Sequence, residues 1–152
     1  MEDFASAGIV VASFATTIFI ILLVLAFLVV TYLAYAKLFK AAGFEAWEAW
    51  VPGLNIWRIA QISFGSQYGW VGLVGMFASL IPVVGGILSV VITFYMSYMF
   101  AKAFGASQLV SILFMLSTPI VLIYWLVTGN YMYMGTQDNY VDKLYTKYTN
   151  KA

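Results

Sequence analysis

The sequence contains no cysteine and no histidine. Disulfides, thiolate or imidazole metal sites and the nucleophile–base pairs built on those residues are excluded, and no redox compartment is marked. Charge is scarce as well: Lys, Arg, Asp and Glu make up 9% of the 152 residues, against about 25% in an ordinary soluble domain. The net charge of +1 comes with no basic stripe, so a nucleic-acid partner has nothing to hold. No cofactor-binding or metal-binding set can be read from the chain.

What is present is apolar, 64% of all residues. The pattern predicts an all-α fold, a polytopic membrane helical bundle forming a single domain. Between Asp3 and Lys37 there is no charge, and a helix needs only about 20 such residues to cross the bilayer core. Residues 8–36 are the first expected span. A cleavable signal peptide has a basic start and a shorter apolar stretch, whereas Glu2 and Asp3 precede this one, so a retained anchor is expected. Acidic residues before it and Lys37, Lys40 and Arg58 after it place the N-terminus outside by the positive-inside rule.

A loop rich in tryptophan follows. Phe44, Trp47, Trp50 and Val51 recur at helical spacing, and Pro52 with Gly53 turns the chain into a second short helix carrying Arg58 and Gln61. Residues 44–64 thus form a helical hairpin, with two placements open: resting in the headgroup region, or re-entrant into the bilayer. Trp47, Trp50, Trp57, Trp70 and Trp125 are read as interfacial anchors.

From residue 59 to 101 there is again no charge, too long a run for one span, and Pro82, Gly85 and Gly86 interrupt it. Spans are expected over residues 69–81, 83–104 and 108–127, the last kinked but unbroken at Pro119, where Ser117 and Thr118 can re-satisfy the freed backbone. Pro52, Pro82 and Pro119 are the three helix breaks. A polar tail, residues 135–152, closes the chain, with a short docking helix on Val141, Leu144, Tyr145 and Tyr148 as one option. Break signals favour four spans. Charge favours three, because a fourth leaves Lys143, Lys147 and Lys151 outside.

Along the third span every fourth residue is small: Gly85, Ser89, Thr93, Ser97, Ala101, Gly105. Such a row lets a neighbouring backbone approach and is read as the packing seam. Because it winds around its helix, either a right-handed crossing follows it or two different helices share it, one near each end.

The order AGFEAWEAWVPGLNIWRIAQ, YGW, LIPVVGGIL, AKAFG and then an apolar span containing proline resembles a family of small prokaryotic membrane proteins whose members often carry the label signal peptidase I. The resemblance covers residues 37–135 and implies the prokaryotic cytoplasmic (inner) membrane. The label fails on the residues. Ser97, Tyr98 and Met99 imitate a serine-x-methionine fragment, yet Ser97 belongs to the small row and Lys102, five positions on, faces elsewhere.

The functional expectation is a non-catalytic integral membrane protein, an accessory, structural or assembly subunit whose partners are the lipid bilayer and larger membrane subunits. The alternative is a small transporter or pore-forming protein, its broken helices lining a site near mid-membrane, which with so few helices calls for a homo-oligomer. An intramembrane enzyme built on Glu45, Glu48 and Arg58 ranks below both, since an ion-pair set explains those charges.

Overall fold

In the computed structural model, residues 2–135 are described, with side chains from residue 8 onward. Among the described residues six α-helices form: α1 Glu2–Ala41, α2 Leu54–Phe64, α3 Gly69–Ala78, α4 Val84–Ala103, α5 Gln108–Leu116 and α6 Thr118–Thr128. Short 3-10 turns, Ala46–Trp50 and Ser66–Tyr68, precede α2 and α3. Among the described residues there is no strand. The polar tail beyond residue 135, and the expected docking helix within it, lie outside the described part.

Helix α1 runs 40 residues, about 60 Å, because no Gly or Pro interrupts it between Gly8 and Gly43. It stops where Gly43 takes φ +86° and Phe44 N–H donates back to Phe39 O, a Schellman closure that needs a left-handed residue. Gly105 ends α4 by the same device: its φ is +70°, and Ala106 N–H reaches Ala101 O.

The chain then folds as a series of hairpins. After α1 it turns back along that helix, so that the Trp50 ring stacks on Tyr32 at 5.4 Å, and Gly53 starts α2 in the opposite sense. Helix α3 runs antiparallel to α4: Gly85 abuts Ala78 near their turn and Gly75 faces Ile92 farther along. Helices α2 and α4 run alongside each other, with Ser63 Oγ donating to Met96 O and Phe64 stacked on Tyr95.

The core lies at the end shared by the C-termini of α1 and α4. Leu38, Phe39, Ile62, Phe100, Phe114 and Leu122 are almost completely buried there, with Trp125 beside them. Aromatic contacts bind it: Tyr35 meets Phe100 edge-on, and Phe100 stacks on Phe114. Residues 8 to 29 of α1, in contrast, are exposed on every side.

Among the described residues two helices, Gly8–Ala41 and Val84–Ala103, are long and apolar enough to cross a membrane. The segment expected to span over 69–81 has only the ten helical residues of α3. The segment expected as one kinked helix over 108–127 is broken at Ser117, whose φ of −146° and ψ of 64° leave the helical region. Helix α6 then doubles back on α5, and Trp125 stands 5.4 Å from Phe114. Pro119 opens α6 at its first turn, where its missing N–H costs nothing, and so starts a helix instead of kinking one. The returning chain donates from Met134 N–H to Ala103 O, which brings it to the end of α4.

Candidate functional site

A cavity of about 420 Å³ opens where α1, α2, α3, α4 and the α5–α6 turn converge. Its formation follows from side-chain size. At this level α4 offers Ser89, Thr93 and Ser97, α3 offers Gly72, Gly75 and Ser79, and α6 begins with Thr118 and Pro119. Small faces bring backbones together at some points and leave space at others. Helix α3 is drawn in tightly: a Cβ on Gly72 would sit 2.6 Å from Ile56 O, and one on Gly75 would sit 2.8 Å from Ile92 Cγ2. Helix α1 closes the far wall with Thr31 and Tyr35.

The small row of α4 is therefore divided in use. Gly85 is buried, and any side chain there would collide with Ala78 O and Ile81. Ala101 is buried in the core, while Gly105 lies exposed in the turn. The three hydroxyl residues between them face the cavity. They are not equivalent to the other helical hydroxyls. Thr16, Thr17, Thr31, Thr118 and Thr128 each donate to the carbonyl four residues back, at 2.7 to 2.8 Å. Among the described residues, Ser89, Thr93 and Ser97 make no such bond. Among the described residues no charged side chain lines the cavity, and no group of three or more His, Cys, Asp or Glu could hold a metal. Ser97 and Lys102 do not form a pair: Ser97 faces the cavity and Lys102 sits in the last turn of α4.

A second polar feature braces the hairpin of residues 44–64. Arg58 grips Glu48 with two bonds, Nε to Oε2 at 2.9 Å and Nη2 to Oε1 at 2.7 Å, in the bidentate geometry that favours Arg over Lys. Its remaining Nη1 donates to Gln61 Oε1 at 2.7 Å, Gln61 Nε2 donates to Ser66 O, and the Phe44 ring lies 4.6 Å from the guanidinium carbon. The Glu48 side chain is 8% exposed. Glu45 is exposed and outside this network, so no Glu45–Glu48 pair forms. Asn55, also buried, donates to Ala49 O at 2.8 Å and ties the start of α2 to the turn before it.

The tryptophans divide too. Trp47, Trp50 and Trp70 are exposed, and Trp57 packs against Gly69. Trp125 is a correction to the anchoring set: it is 4% exposed, because the fold-back of α6 carries it inward against Phe104 and Phe114. Pro52, Pro82 and Pro119 all stand at helix boundaries. Sequence reading missed the meeting of Thr31, Gly75, Thr93 and Thr118 around one space. Its traces in the sequence were the shared face of Ser89, Thr93 and Ser97, the small face of Gly72, Gly75 and Ser79, and the Ser-Thr-Pro run at 117–119.

The family of unknown function DUF5684 matches residues 47–136, more than half of the chain, and its description attaches neither signal peptidase activity nor a membrane role. No curated protein and no solved structure matches. The match takes in the hairpin from Trp47 onward, the cavity-lining parts of α2, α3, α4 and α6, and the folded-back pair. The chain belongs to the DUF5684 family.

Proposed function

We propose that the protein is a non-catalytic integral membrane subunit of the cytoplasmic membrane, with α1 as the helix it offers to larger membrane partners. One observation carries this reading. From residue 8 to residue 29, α1 is apolar and exposed on every side, with residues such as Phe14 and Ile9 about 70% exposed. An apolar surface of this length and continuity needs lipid or other helices around it.

The four crossings expected from sequence become three in this reading: α1 inward, α3 outward and α4 inward, with α5–α6 as a hairpin that enters and leaves on one side. The short α3 is tolerable where protein covers its turn. Three crossings resolve the charge conflict, because Lys37, Lys40 and Lys102 then share the cytoplasmic side with the start of the tail. The N-terminus lies outside. The hairpin of residues 44–64 is re-entrant along α1, which the stacking of Trp50 on Tyr32 supports.

The test is to tag the full chain, extract it from its own membranes in mild detergent, and determine the mass and composition of what accompanies it. A stable complex with distinct subunits supports the reading. A pure monomer or homo-oligomer overturns it and favours the second reading, a small transporter, for which the observation is the uncharged cavity at the meeting of broken helices. A reporter fused after Ala152 tests the crossings: activity on the cytoplasmic side agrees with three, and activity outside restores four.

A further inference from the structure

We propose that the groove at the end of α4, where Met132 and Met134 lie open, is the docking site of the chain's own C-terminal segment, which seats Val141, Leu144, Tyr145 and Tyr148 in it as one face of a helix. The inference goes beyond the membrane-subunit reading and needs no partner subunit.

The groove is built by the returning chain. It holds about 390 Å³ between Phe104 and Gly105 at the end of α4 and Gly129, Asn130, Met132 and Met134. Its wall is tied down: Met134 N–H donates to Ala103 O at 2.8 Å, and the rings of Tyr131 and Tyr133 pack on Phe104. Along residues 131–134 the tyrosines thus turn inward, while Met132 and Met134 stay 67% and 52% exposed. Two flexible thioether side chains on a fixed backbone form a surface that adapts to an incoming apolar face.

The occupant follows from where the chain goes next. Gly135, at φ +78°, turns the backbone beside Met134, and residues 136–152 continue from there. Val141, Leu144, Tyr145 and Tyr148 recur at the spacing of one helical face. So short a tether holds that face near the groove at an effective concentration of order millimolar, an advantage that no separate molecule has. Charge sets the orientation. On a helix Asp138 and Asp142 line one edge of the apolar face, and Lys143 and Lys147 lie on the far side. Lys102, two residues before Phe104, makes no ion pair among the described residues and complements the acidic edge. An anionic lipid surface would attract the lysines but repel that edge, whereas the groove accommodates the apolar face and the acidic edge together.

The absence of cysteine makes the test direct. In the full chain in its own membranes, Asn130→Cys is combined in turn with Val141→Cys, Leu144→Cys, Tyr145→Cys, Tyr148→Cys, Lys143→Cys and Lys147→Cys, and each double variant is treated with a short bismaleimide. Cross-links within one chain should form about tenfold faster from the four apolar positions than from the two lysine positions, the contrast between a docked and a free helix face. Met132→Glu, a change at an exposed side chain, should abolish the contrast while leaving the melting of the protein in detergent unchanged. Lys102→Glu should weaken the contrast, and Asp142→Lys in the same chain should restore it, which a loss of fold would not allow. Equal rates at all six positions overturn the proposal. Cross-links that join two chains overturn it in favour of a second copy. Stronger quenching of bimane on Leu144→Cys than on Lys143→Cys by nitroxide-bearing phosphatidylglycerol overturns it in favour of the membrane surface.

Discussion

Phe114 and Trp125 would lie about 16 Å apart on a continuous helix, yet their rings are 5.4 Å apart with an interplanar angle of 32°. That contact holds the last apolar segment in its doubled-back form, and through Phe100 and Phe104 it joins the segment to the end of α4. Trp125→Ala should therefore remove a fully packed ring from the centre of the core. A cost of about 3 to 5 kcal/mol is expected, seen as a lower thermal midpoint in detergent. Trp70→Ala, which alters an exposed ring, should move the midpoint by much less.

Glu48 and Arg58 form the second support. Removing one partner strands the other where water is scarce, so Arg58→Met should destabilise by about 3 kcal/mol. Glu48→Gln combined with Arg58→Met should recover part of this loss, because no unpaired charge then remains. A double-mutant cycle on thermal midpoints measures the difference, and strict additivity of the two substitutions would show that the pair is not coupled.

Neighbouring glycines in α4 should behave oppositely. At Gly86 a Cβ meets nothing within 4 Å, so Gly86→Ala should stabilise the helix by about 0.5 to 1 kcal/mol. At Gly85 the same change drives a methyl into Ala78 O, and Gly85→Ala should lower the midpoint by several degrees. Equal effects at the two positions would contradict the close approach of α3 to α4.

Val83 carries strain. It is the one non-glycine residue with positive φ among those described, at φ 61° and ψ −73°, and Val84 N–H donates to Pro82 O across it in a γ-turn. A β-branched residue pays for that conformation, and the side chain is 77% exposed with little packing to lose. Val83→Gly should raise the midpoint, by about 1 kcal/mol of stability after the added freedom of the unfolded chain is counted.

Much of this architecture can be read from residues. The uninterrupted run before Lys37 marks α1, Pro82 with Gly85 and Gly86 marks the turn into α4, and Pro52–Gly53 marks the hairpin. Local chemistry decides each of these. The fold-back at Ser117 was not legible, because a proline after Ser-Thr is compatible with both a kink and a new helix start. Only the distant partners Phe100 and Phe104 choose between them. Trp125 was misplaced for the same reason: a tryptophan near the end of an apolar run looks like an anchor until the run reverses. The cavity was half visible. Periodicity showed that Ser89, Thr93 and Ser97 share a face, but whether a small face meets a backbone or a void depends on the neighbour opposite, which one helix cannot reveal.

Helix α1 gives the core only its last turns, from about Ala34 to Phe39, and leaves some 20 residues outside it. Folding and anchoring are thus written in separate stretches of one helix. Substitutions among residues 8 to 29 that keep the helix apolar can change which neighbours the protein meets in the membrane without loosening the bundle. The family match, which begins at residue 47, falls entirely on the other side of that division.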